Sequence, residues 1–262
     1  MRNLKRTLSL ALAAIMLVGM MVVSASAASY NNLTDKDEIV NKDAVSMLVS
    51  LGIIEGKPDG SYAPTENVDR AQMAKMLSVI MNKGVDNSAL YQSVNSGLVD
   101  VNTNWAKGHI NYCYTTGIIA GRGNGTFDPS ATVTALEAAK MLLVAVGYDP
   151  KIEGFEGADW AINVSVRADE QGIFEGFTKD LSAPLNRDDA ALLIYNALDV
   201  EMIQSYTTNN YPIVYSDHRT ILSDKYGVIK VEGVVTANEW AILDDDTDTA
   251  LQEGKTRIYN PD

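Results

Sequence analysis

"GIIAGRGNGTFDP", Gly117 to Pro129, restates "GIIEGKPDGSYAP", Gly52 to Pro64, at an offset of 65 residues. A third, shorter version opens with "GIFEG" at Gly172 to Gly176. When Gly52, Gly117 and Gly172 are superposed, the flanks fall into register. Twelve residues upstream stand Val40, Trp105 and Trp160; four upstream stand Leu48, Cys113 and Ala168. Eighteen residues downstream stand Arg70 and Ala135, and a loop shorter by three residues brings Arg187 to the same slot in the third copy. Repetition of this kind marks stacked units that cannot bury their apolar faces singly.

Each unit reads as helix, glycine-punctuated loop, helix. Gly117 stands where the first helix of the second unit must stop, as a residue free to adopt positive φ. "KPDG" and "RGNG" end in Asp-Gly and Asn-Gly, which is turn chemistry. The second helices open at Asp69, Thr134 and Asn186, all good N-cap types, and Thr134 with Glu137 makes a capping box. Val68, Ala71, Ala74 and Leu77 fall on one side of the first unit's second helix, matched by Val133, Leu136, Ala139 and Leu142. In the first helix of the second unit, Trp105, Ile110, Cys113 and Tyr114 cluster near helical spacing and predict one apolar face. The fold class is therefore mainly α, three helix–loop–helix units packed as one body.

The expected boundaries are a signal peptide over 1–28, repeats over 29–86, 95–149 and 153–202, and a β-rich segment over 203–262. The signal reading rests on Arg2, Lys5 and Arg6, an apolar run from Leu8 to Val23 broken only by Ser9, and small residues at Ala25 and Ala27. That run is shorter than the roughly 20 residues of a spanning helix. After Val200 the chain is rich in Ile, Val, Tyr and Thr. "GVIKVEGVVTA" and "WAIL" read as strands, with "DDDTD" a turn before "TRIYN". Roughly 60 residues make a marginal domain alone, so a β-rich module is expected to begin here and to be cut short or completed elsewhere.

The formal net charge of −13 argues against non-specific nucleic-acid binding, because the phosphate backbone repels an acidic chain. The single cysteine, Cys113, leaves no disulfide framework in a secreted chain, which fits export from a Gram-positive bacterium. Its column, shared with Leu48 and Ala168, predicts a core thiol. "DDDTDTALQEGK" from Asp244 puts Thr249 and Lys255 where a calcium loop needs Gly and Glu, so it reads as a polar turn. No nucleophile–base set, phosphate loop or metal cluster stands out, so no enzyme activity, cofactor or metal is expected.

Residues 30 to 200 resemble three tandem S-layer homology (SLH) repeats. The resemblance is carried by "LVDVNTNWAKGHINYCYTTGIIAGRGNGTFDPSATVTALEAAKML", by "GSYAPTENVDRAQMAKML", and by "DWAINVSVRADEQGIFEG" with "APLNRDDAALLIYNAL". It implies a three-pronged, pseudo-threefold spindle with grooves between repeats. It also implies non-covalent anchoring of a surface protein to the cell wall through a secondary wall polysaccharide, often pyruvylated, with self-assembly as a further expectation. The family's binding Arg carries over to Arg70 and Arg187, and its Trp to Trp105 and Trp160. Lys57 and Arg122, each directly after a loop glycine, are candidate additions. A guanidinium matches a carboxylate with two parallel donors, and a Trp face covers sugar C–H surface. The chain departs from the pattern at Ala135, Val40 and Phe177, so the three grooves are not equivalent. The bland alternatives are a packing role for the tryptophans and acid-paired surface arginines, although an Arg in a first helical turn opposes the dipole. An S-layer lattice subunit, or the anchor of an enzyme encoded beyond residue 262, are the other functional readings.

Overall fold

The computed structural model describes residues 29–230, 234–237, 251 and 255–259. The signal-peptide reading, the strand "WAIL" and the turn "DDDTD" fall outside those residues. The helices are α1 (Lys42–Ser50), α2 (Arg70–Met81), α3 (Lys107–Thr115), α4 (Ala135–Val146), α5 (Trp160–Glu170) and α6 (Arg187–Leu198). Three helix–loop–helix copies are thus present, in the expected order.

The packing partners are not the two helices of one repeat. Helix α2 packs on α3, α4 on α5, and α6 on α1. Each prong joins the second helix of one repeat to the first helix of the next, and α6 on α1 closes the ring. Asp188 secures that closure: its carboxylate accepts from the Val40 and Asn41 N–H groups at 3.2–3.3 Å and from Asn41 Nδ2 at 3.1 Å.

The axis is a triangle of backbone hydrogen bonds. Val68 N donates to Leu185 O (2.8 Å), Leu185 N to Val133 O (2.7 Å), and Val133 N to Val68 O (2.9 Å). All three side chains are buried. The local cause is the cap chemistry. Asp69, Thr134 and Asn186 adopt extended backbone and accept the N–H of the third helical residue, Gln72, Glu137 and Asp189 respectively. An extended N-cap presents the residue before it as a one-residue strand, and three such strands meet.

The first helices end alike. Gly52, Gly117 and Gly172 take φ of 70°, 78° and 69°. The following N–H reaches back to the helix: Ile53 to Leu48 O, Ile118 to Cys113 O, and Ile173 to Ala168 O, at 2.8–2.9 Å. This is the Schellman pattern, which satisfies carbonyls that a helix end leaves bare.

One expectation fails. Trp105 and Tyr114 are 58% and 36% exposed, whereas Ile110 and Cys113 are fully buried. The buried face of α3 is completed by His109 and Asn111. The reason is the preceding connection, whose 3₁₀ turn Ser88–Tyr91 packs on α3. Asn111 Nδ2 donates to Tyr91 O and Val94 O at 2.9 and 2.8 Å.

The C-terminal segment also differs from its sequence reading. Strands β1 (Ile203–Tyr206) and β2 (Pro212–Val214) pair antiparallel, as do β3 (Val234–Ala237) and β4 (Arg257–Tyr259). Between the hairpins lies α7 (Ile221–Tyr226), where only extended chain was expected. Thr220 caps it in a box with Ser223, and Gly227 ends it at φ 64°. Helix α7 packs on α2 and α6, with Ile221 and Leu222 buried. The Tyr226 hydroxyl donates to Ile80 O at 3.2 Å. Residues up to this point therefore belong to the helical body.

Candidate functional site

The loops are held by carboxylates that sequence reading passed over. Asp100 accepts the Phe127 and Asp128 N–H groups at 2.9 and 2.7 Å; Asp35 accepts those of Tyr62 and Ala63 at 2.7 Å. Asp128 and Ala63 take positive φ, 62° and 56°, so the clamps fix a backbone that L-residues avoid. Burial raises the Asp100 carboxyl, but the two N–H groups outweigh it and hold it below the usual range. The signal was available: Asp35 and Asp100 lie at the same 65-residue offset as the glycines.

On this frame the arginines cross between repeats. Arg70, from the first repeat, donates through Nε to Phe127 O (2.8 Å) and through Nη2 to Ala120 O (3.1 Å), both in the second repeat's loop. Its guanidinium carbon lies 4.4 Å from the Phe127 ring centroid. Arg187 does the same in the first repeat's loop, donating to Tyr62 O (2.7 Å) and Glu55 O (3.3 Å). Arg70 is 4% exposed. Burial, with the nearby Arg122 charge, pushes it down to about 10, so it stays charged at neutral pH. The candidate arginines are thus latches of the fold, and the remaining Nη1 of Arg70 lies 3.7 Å from Glu137 Oε1.

Groove one is a cavity of about 510 Å³ whose lining includes Arg70, Arg122, Glu137, Lys140 and Trp160. It takes one side chain from the first repeat, several from the second, and Trp160 from the start of α5. Three predicted residues, Arg70, Arg122 and Trp160, meet there. Lys140 Nζ lies 5.7 Å from the Trp160 ring centroid. Burial lowers its ammonium, and Arg70 adds to that against the opposing Glu137 and Glu156 charges. The site is an amphipathic wall: a tryptophan face beside a row of cations.

The positions that align with groove one around the next repeat boundary, groove two, are Arg187, Lys57, Lys75 and Trp105; of these, Arg187 Nη2 and Lys75 Nζ both bond Glu55. Here the lysines are engaged, Lys57 with Glu66 and Lys75 with Glu55. Trp105 is exposed, its ring centroid 6.4 Å from that of His109. Groove three replaces every element. Ala135 stands for the Arg, Phe177 for Lys57 and Arg122, Leu192 for Lys75 and Lys140, and Val40 for the Trp. Phe177 packs on the core, with its ring centroid 6.2 Å from that of Phe174.

Among the described residues, Ser78 Oγ lies 2.6 Å from His109 Nδ1, with Asp86 3.6 Å from His109 Nε2. Ser78 and His109 are both buried, and the Ser78 hydroxyl donates to Lys75 O. The pair is a helix–helix contact between α2 and α3. Cys113 is fully buried; burial pushes its thiol upward and its Sγ contacts Ala74 O at 3.4 Å.

Residues 32–74 and 99–139 match the profile of the S-layer homology domain. The two segments are S-layer homology repeats. The third helix–loop–helix lies outside the matched residues and joins the two SLH repeats through the Leu185 corner of the axial triangle. A cell surface protein of Thermoanaerobacter kivui is 27% identical over 265 residues, covering 100% of this chain and 32% of its own length. An S-layer protein of Bacillus licheniformis is 33% identical over 113 residues, 43% of this chain and 12% of its own. An amylopullulanase of Thermoanaerobacterium thermosulfurigenes is 30% identical over 173 residues, 60% of this chain and 9% of its own. The chain therefore spans a third or less of these relatives.

Proposed function

We propose that the SLH body anchors a secreted surface protein non-covalently to a Gram-positive-type cell wall, by binding an anionic, pyruvylated secondary wall polysaccharide. The observation that carries this reading is groove one. Arg122 and Lys140 offer charge to a carboxylate, and Trp160 offers an apolar face to a sugar ring. An acidic chain can hold an anionic glycan where a groove gathers local positive charge. The body acts without catalysis, as a holder. The relatives named as surface-layer and cell-surface proteins support a location on the wall. The amylopullulanase supports a version in which the anchored cargo is an enzyme, and the S-layer protein one in which it is a lattice subunit.

The test is sedimentation of residues 29–262 with purified Gram-positive sacculi, with the secondary polymer kept or stripped by acid. Arg122→Ala with Trp160→Ala is the variant to use, since Arg70 and Arg187 also hold the fold. Binding that requires both the polymer and those two side chains supports the reading. Equal binding to stripped sacculi would redirect it to peptidoglycan, and no binding to either would overturn it.

A further inference from the structure

Groove one carries a carboxylate of its own where a ligand carboxylate would dock. Glu137 Oε1 accepts from Arg122 Nη1 at 2.8 Å and lies 3.7 Å from Arg70 Nη1. The Nε and Nη2 groups of Arg70 are committed to loop carbonyls. Its remaining nitrogen therefore faces Glu137. Two of the groove's three cations stand beside this carboxylate; the third, Lys140, feels Glu156, which also lines the groove, and Arg122 Nη2 lies 3.9 Å from Asp128.

The charge on Glu137 is not what the fold needs from that position. Glu137 Oε2 accepts from Thr134 N at 3.2 Å, the reciprocal half of the capping box, which requires only an oxygen. Gln72 performs the same task in the first repeat, its Oε1 accepting from Asp69 N at 3.0 Å. Groove two thus has a neutral amide where groove one has a carboxylate.

We propose that Glu137 is a built-in competitor: it holds Arg122 and stands beside Arg70 in the free protein, and it sets a threshold for anionic sugars in groove one at the position where groove two has the neutral Gln72. A ligand carboxylate entering groove one must exchange with Glu137 on Arg122 or sit beside a like charge, and either weakens binding. This inference rests on reading the groove as a site for a carboxylate-bearing glycan.

The test uses residues 29–262 carrying Trp105→Ala and Arg187→Lys, chosen to remove the aligned Trp and guanidinium of groove two, with and without Glu137→Gln. The probes are a methyl hexosaminide bearing a 4,6-linked pyruvate ketal and the methyl ester of that ketal, titrated calorimetrically at low salt. The expected result is about tenfold tighter binding of the acid by E137Q, a gain that shrinks as salt is raised, with the ester unchanged. A reverse variant, Gln72→Glu with Trp160→Ala, is expected to weaken acid binding in groove two by a similar factor, and it serves if E137Q unfolds. Equal or weaker acid binding by E137Q, or an equal gain for the ester, overturns the proposal and leaves the groove reading standing. Binding of the acid by neither protein overturns both.

Discussion

Arg187 and Tyr62, 125 residues apart, hold each other twice. Arg187 Nε donates to Tyr62 O at 2.7 Å, and the Tyr62 hydroxyl donates back to Arg187 O at 2.7 Å. The guanidinium carbon lies 4.8 Å from the Tyr62 ring centroid. The pair ties the third repeat to the first, beside the α6–α1 contact that closes the ring. Arg187→Ala is expected to cost about 3 kcal/mol and Tyr62→Phe about 1 kcal/mol. Each side chain bonds the other residue's main-chain carbonyl, so the double variant should cost about the sum of the singles in urea denaturation; an Arg187→Ala loss no larger than that of an exposed surface substitution would sink the latch.

The grooves are expected to contribute unequally to wall binding. Trp160→Ala should weaken sedimentation with polymer-bearing sacculi by tenfold or more, roughly the loss of one anchoring aromatic. Phe177→Ala, in groove three, should leave binding unchanged while lowering the melting temperature, because its ring packs on the core. Equal binding losses from the two changes would contradict the assignment of a silent groove.

Two glycines should fail for opposite reasons. A Cβ on Gly108 would sit 2.1 Å from Ser88 O, although no unusual backbone angle is needed there. A Cβ on Gly117 would meet nothing within 4 Å, but φ is 78°. Gly108→Ala is expected to cost about 3 kcal/mol through overpacking, and Gly117→Ala about 1 kcal/mol through backbone strain. Denaturant midpoints in the reverse order would show that the Ser88 turn yields readily.

Relief of strain at the clamp should stabilise the protein. Ala63 holds φ 56° because Asp35 pins its N–H. Ala63→Gly is expected to add about 1 kcal/mol, less a few tenths for greater freedom in the unfolded chain. Asp100→Asn should cost about 2 kcal/mol, since two charge-assisted bonds become weaker ones. The Asp100 carboxyl lies below its usual range, so its contribution is complete above that range and fades as pH falls through the lowered value. A stability curve of Asp100→Asn with the same acid limb as the parent would count against the clamp.

His109 should give the fold a second, milder acid sensitivity. Burial holds its imidazole below the ordinary 6.5, Lys75 adds to the effect and Asp86 opposes it. Below pH 6.5 the unfolded chain takes a proton that the folded protein refuses, so stability falls with pH. Above that value neither state is charged and the contribution is complete. His109→Gln should flatten the melting-temperature profile as pH falls below 6.5. An unchanged slope would place the sensitivity elsewhere.

The repeat register determined a great deal. The glycines at positive φ, the N-caps Asp69, Thr134 and Asn186, the buried Cys113 slot and the inequality of the grooves all follow from aligned columns, because each depends on chemistry within one turn of chain. Helix α7 escaped for a related reason. Its six residues carry β-forming Ile and Tyr, and its apolar side is recognisable only once α2 and α6 are there to receive it.

What the tertiary structure alone decided is which repeat meets which. Sequence places Arg70, Arg122 and Trp160 in three different repeats and is silent about their meeting. The exchange of helix partners, α2 on α3, α4 on α5 and α6 on α1, brings them around one cavity. The same exchange made latches of Arg70 and Arg187, the first buried and the second half-buried. Local propensity is written in neighbouring residues and can be read from them. The pairing of distant elements is set by the combined burial of all three apolar faces, a property of the closed ring that no single repeat contains.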